Sequence, residues 1–90
     1  MQNAVSSIDI YPNPAKGMTN MNIQLAAETT LDIRIYDNAG ALIRSIKSNE
    51  TMERGSYTET LNISGLTSGV YNVQIDMNGE LIQKKLIVVD

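Results

Sequence analysis

Ninety residues make one small domain or a fragment cut from something larger, and folding at this size buries roughly 60–65% of the unfolded surface around one thin core. The apolar fraction is 42% and the charged fraction 19%, a globular composition and not a disordered one. The chain has no His, Cys, Trp or Phe, which removes thiol nucleophiles, disulfides, Cys/His zinc sites, His general bases and any Ser-His-Asp arrangement, and its net charge of −3 argues against nucleic acid.

Read in chain order, the apolar residues recur every second position. Met1-Gln2-Asn3-Ala4 lacks the basic-then-apolar pattern of a signal peptide. Ile8 and Ile10 then flank Asp9 in a strand over 5–11, which Pro12-Asn13-Pro14 and Gly17 close. Met21, Ile23 and Leu25 alternate with Asn22 and Gln24 in a strand over 18–27. Leu31-Asp32-Ile33-Arg34-Ile35-Tyr36-Asp37 is the clearest alternation and predicts a strand over 30–37, with Leu31, Ile33 and Ile35 on one face. Asn38-Ala39-Gly40 ends it in a turn, with Gly40 supplying positive φ. A strand over 41–47 follows. Ile43 and Ile46 also fit helical spacing, but the neighbouring hairpins favour strand. Glu50 to Gly55 is polar and predicts a loop. Tyr57, Glu59, Leu61 and Ile63 share one face of a strand over 56–63. Gly65 and Gly69 bracket a short connection to a strand over 70–77, where Tyr71, Val73, Ile75 and Met77 face inward. Asn78-Gly79 is the best short hairpin signal in the chain, and the last strand runs over 80–89. No apolar run approaches the roughly 18 residues of a membrane span. Seven short strands predict a two-layer antiparallel sandwich, with a partly closed barrel as the alternative.

Catalytic chemistry finds little to use. Asp32 and Asp76 fall at outward positions, where solvated carboxylates make poor general acids. Asp37-Asn38 reads as turn capping and not as a cation loop, and no glycine run precedes a helix as a phosphate loop would. No metal and no cofactor is expected, and the reading is of a non-enzymatic β module. Tyr57 and Tyr71 point to the core, while Tyr36 faces out or reaches a turn backbone. The terminal run Leu86-Ile87-Val88-Val89, preceded by Lys84-Lys85, is apolar on both faces. It reads either as a buried final strand with lysines that blunt aggregation or as a surface meant for a partner.

Four segments together resemble a known family. Ile10-Tyr11-Pro12-Asn13-Pro14-Ala15-Lys16-Gly17 resembles the opening motif of type IX secretion C-terminal sorting domains. Ile33-Arg34-Ile35-Tyr36-Asp37-Asn38-Ala39-Gly40 resembles their second motif, and Leu66-Thr67-Ser68-Gly69-Val70-Tyr71-Asn72-Val73 their Leu-x-x-Gly-x-Tyr block. Lys84-Lys85-Leu86-Ile87-Val88-Val89 resembles their terminal strand. Together these span about Ile8 to Asp90.

The resemblance implies a seven-stranded antiparallel immunoglobulin-like β-sandwich. It implies a C-terminal address, carried on an N-terminal cargo, that takes the cargo from the periplasm to the cell surface or the medium. The partners it implies are the translocon and shuttle components of that system and a surface sortase. The sortase usually removes the domain, with cargo release or lipopolysaccharide attachment. Residues 1–7 then read as leader or linker from the cargo, with the sortase cut there or before, and 8–90 as the sorting domain; Met1 reads as a start codon added to an excised domain. Tyr11, Pro12, Asn13, Pro14, Gly17, Tyr36, Asp37, Gly40, Gly69 and Tyr71 are expected to be structural, and Lys85, Leu86, Ile87 and Val88 to carry recognition. An exposed edge strand would also suit pairing of two copies as a homodimer. The competing readings are an immunoglobulin- or fibronectin-like adhesion module and a carbohydrate-binding module that uses Tyr36.

Overall fold

The computed structural model describes residues 5–89. Residues 1–4, where most of the expected leader falls, lie outside the described residues. Seven strands follow in order: β1 (Val5–Lys16), β2 (Met18–Leu25), β3 (Thr29–Tyr36), β4 (Leu42–Met52), β5 (Gly55–Asn62), β6 (Gly69–Met77) and β7 (Glu80–Val88). Two antiparallel sheets, β1-β2-β5 and β4-β3-β6-β7, face each other as an immunoglobulin-like sandwich. The first strand belongs to both sheets. It pairs with β2 from Val5 to Tyr11, turns through Pro12-Asn13-Pro14, meets β7 in one parallel pair, Ala15 with Val88, and pairs with β2 once more at Lys16 and Met18. Pro12 and Pro14 carry no N–H and cannot extend the β2 ladder, so the ladder breaks where the chain changes sheets.

The alternation in the sequence is the alternation of burial. Leu31, Ile33 and Ile35 of β3 are fully buried, and each lies opposite an apolar partner on β6: Met77, Ile75 and Val73. Met21, Ile23, Leu25, Leu61 and Ile63 close the core from the other sheet. Burying each such side chain contributes about 1.5–3 kcal/mol. The Asn78-Gly79 turn forms as expected, with φ of 52° and 89° and Met77 opposite Glu80.

Two segments depart from the sequence reading. The strand expected over 41–47 runs on to Met52, through what was expected to be loop. At three steps along β3 the fourth strand slips register, between Leu31 and Ile33, Ile33 and Arg34, and Ile35 and Tyr36. Each slip adds a residue to β4, as β-bulges do. That is why Ile43 and Ile46, three apart, both pack against the core, a spacing that also fitted a helix. The first strand, expected to stop at residue 11, continues to Lys16 because it acquires a new partner in β7.

The far edges of the two sheets are joined by side chains. Lys47 Nζ on β4 reaches Glu59 on β5 at 2.8 Å and Glu50 at 3.3 Å. Arg44 donates to the carbonyls of Asn62 and Ser64. Burial of Lys47 by itself would lower its pKa, but Glu59 and Glu50 outweigh it and hold the ammonium above its ordinary value of 10.5.

Candidate recognition site

The expected recognition residues divide by face. Leu86 and Val88 are 0% and 3% exposed and belong to the core. Lys85 is exposed and Ile87 half-buried, both on the outer face of the β4-β3-β6-β7 sheet. A strand separates alternate side chains in this way whatever the run of apolar letters, so only Lys85 and Ile87 of the four present side chains outward.

The opening motif holds the terminal strand. Asn13 Nδ2 donates to the Lys85 carbonyl at 2.8 Å, and its Oδ1 accepts the Ile87 N–H at 3.0 Å. The side-chain amide thus takes the place of a backbone peptide beside β7. The Val89 N–H continues the edge by donating to the Ala15 carbonyl at 2.9 Å. Thr19 Oγ1 donates to the Pro12 carbonyl at 2.6 Å and fixes the turn from β2, and the Ile63 N–H donates to the carbonyl of Gly17, between β1 and β2. Tyr11 stands 71% exposed.

The second and third motifs build the neighbouring wall. Asp37 Oδ1 accepts the N–H groups of Ala39 and Ala41, both at 2.9 Å, and Gly40 closes the turn at φ 91°. Gly69 begins β6. Tyr71 is buried, and its hydroxyl donates to the Thr67 carbonyl at 2.6 Å, the arrangement called a tyrosine corner in immunoglobulin-like sandwiches. Across the sheet, Leu42, Tyr36, Asn72 and Lys85 form one row on four adjacent strands.

These elements enclose an open cleft of about 430 Å³, lined by Tyr36, Asp37, Asn38, Gly40, Val70, Tyr71, Asn72, Gln74 and Lys85. The cleft brings together members of the second, third and last sequence motifs, and the first is bonded to its Lys85 rim. The sequence reading missed Asn38, Val70, Asn72 and Gln74 as site residues. The signal for Asn72 was present: a two-residue turn at Asn78-Gly79 sets the β6–β7 register, which puts Asn72 opposite Lys85. The outward carboxylates of β3 and β6 are engaged in local structure. Asp32 and Asp76 lie opposite each other; Asp32 Oδ1 accepts the Asn49 N–H at 2.7 Å and Asp76 Oδ1 the Gly79 N–H at 2.9 Å.

Residues 9–89 match the model of a protein family described as the secretion system C-terminal sorting domain. No curated protein matches the chain. Among solved structures, that of dimeric latent PorU from Porphyromonas gingivalis resembles it with a TM-score of 0.71 at 19% identity, over 91% of this chain and 9% of that one. The chain therefore spans a small part of that protein, and the likeness is one of fold.

Proposed function

This chain belongs to the family of C-terminal sorting domains of type IX secretion, and from that premise we propose that its outer-face cleft and terminal strand are what the export machinery reads. The domain is a sorting signal, whose role is export to the cell surface or the extracellular space. Translocon or shuttle components engage the folded domain from the periplasm, and the cargo lies on its N-terminal side. A surface sortase then cuts in or before residues 1–7 and releases the cargo or joins it to lipopolysaccharide. A cut before Val5 would leave the whole of β1 with the domain. The domain itself acts by being bound and performs no catalysis.

The observation that carries this reading is the meeting of all four family-like segments at one end of the sandwich, around Lys85. Three of the segments line the cleft and the first is bonded to its Lys85 rim, a convergence that turns serving structure alone do not need. Lys85 and Ile87 are the outward members of the terminal strand, so they are assigned the contact, while Leu86 and Val88 hold the strand in place.

The test is a fusion of the domain to a periplasm-directed reporter in a host with type IX secretion. Lys85→Glu and Ile87→Asp are expected to strand the reporter in the periplasm while the purified domains keep native dispersion in their NMR spectra. Undiminished surface delivery by both folded variants would assign recognition to another surface.

A further inference from the structure

We propose that the outer-face cleft is also a saccharide site, one that takes a single sugar unit bearing an anionic group. The inference does not depend on the export reading, because it rests on the cleft's lining alone.

At about 430 Å³ the cleft falls in the size range of small-ligand sites, but its chemistry differs from the apolar lining usual there. Asn38, Asn72 and Gln74 contribute carboxamides, each offering donors and an acceptor side by side, a pattern that matches neighbouring sugar hydroxyls. Among the described residues the side chains of Asn38 and Gln74 form no hydrogen bond, and Asn72 makes one long contact, from Nδ2 to Gln83 at 3.4 Å. These groups are therefore available to a ligand. Tyr36 adds an aromatic ring of the kind that packs on the apolar face of a pyranose.

Charge gives the site a direction. Lys85 forms no ion pair among the described residues and stands on the β7 side. Asp37 stands on the opposite wall, with its Oδ1 committed to the turn while its Oδ2 accepts no hydrogen bond among the described residues. Two strand spacings, about 10 Å, separate the β3 and β7 walls, room for one ring with its anionic substituent toward Lys85. A peptide is the less favoured occupant, since Val70 is the only aliphatic side chain in the lining and peptide anchors seek apolar pockets.

The test is an NMR titration of the 90-residue chain with galacturonate, N-acetylglucosamine 6-sulfate and mannose 6-phosphate. The controls are the three neutral parent sugars, inorganic sulfate and phosphate, and an acetylated glutamyl dipeptide. At least one charged sugar is expected to give saturable shifts at Asp37–Gly40, Val70–Gln74 and Lys85, with a dissociation constant on the order of 1 mM. Which one it is distinguishes carboxylate, sulfate and phosphate. Its neutral parent should bind about tenfold more weakly, and Lys85→Ala should weaken the charged sugar about tenfold. Tyr36→Leu should weaken charged and neutral sugars alike; if it disturbs the spectrum, Asn72→Ala serves in its place. Absence of saturable shifts in the cleft overturns the proposal. So does equal binding of the inorganic anions or the dipeptide, or binding unchanged by the substitutions. Export of the fused reporter is a separate readout, so failure here leaves the sorting role standing.

Discussion

Asn13 and Lys85, 72 positions apart, are joined by a hydrogen bond from the Asn13 amide to the Lys85 carbonyl. The same amide accepts the Ile87 N–H, so one side chain ties the opening turn to the last strand. The prolines on either side cannot donate, and the Asn13 side chain makes the bonds that the backbone there cannot. Asn13→Ala is expected to cost about 1 kcal/mol, since water can reach the freed groups. It should also speed exchange of the Ile87 amide well beyond the change at Val73. Asn13→Asp keeps the acceptor and loses the donor, so Ile87 should stay protected. Unchanged Ile87 exchange in the alanine variant would mean the amide contact is not formed in solution.

The terminal strand should respond to truncation according to face. Leu86→Ala removes a fully buried side chain and is expected to cost about 2–5 kcal/mol. Ile87→Ala, on the half-buried outer face, should cost about 1 kcal/mol or less, and Lys85→Ala within about 0.5 kcal/mol of nothing. Urea unfolding at neutral pH measures all three. Equal losses at Leu86 and Ile87 would contradict the register given for β7. The same division explains why deleting the last residues is a poor probe of recognition: it removes Leu86 and Val88 from the core along with the outward groups.

Local pattern carried most of this fold into view. The two-residue period at Leu31–Ile35 and Tyr71–Met77 named the buried face of β3 and β6, and Asn78-Gly79 named the hairpin that sets the β7 register. The end of β4 is not legible in the sequence because bulges break the period and because an edge strand can be polar on both faces. The site was half legible. Tyr36, Asp37, Gly40, Tyr71 and Lys85 stood out as motif residues, but nothing local says that β3 lies beside β6, so Asn72 could not be placed between Tyr36 and Lys85. Nor could sequence show that the Asn13 amide reaches β7, a contact made by topology alone.

Tyr71→Phe isolates the corner between Thr67 and β6. The ring stays buried, and only the hydroxyl that donates to the Thr67 carbonyl at 2.6 Å is lost. The expected cost is about 1 kcal/mol in urea unfolding, a part-buried carbonyl of an exposed residue being left without its partner. The exchange rates of Gly69 and Val70, on the cleft side of that corner, should rise with it. A loss below about 0.3 kcal/mol would show that the corner is held by the ring's packing and not by its hydroxyl.

The Lys47 cluster predicts an alkaline limit to stability. Its ammonium pKa is held above 10.5 in the folded chain by Glu59 and Glu50, against the opposing effect of burial. A group whose pKa is raised on folding contributes stability in full below its unfolded pKa and loses it as pH rises through the folded one. The contribution is therefore intact at pH 7 and declines only above about pH 10.5. Lys47→Met keeps the half-buried chain stem but removes the charge that joins β4 to β5 across the open edge. It is expected to cost about 1 kcal/mol at pH 7. The informative quantity is the difference between native and variant chains. That gap should narrow between pH 9 and pH 12 in urea unfolding, because the native chain loses what the variant already lacks. A gap that stays constant across this range would remove the Lys47–Glu59 contact from the account of how the two sheets are held at their far edge.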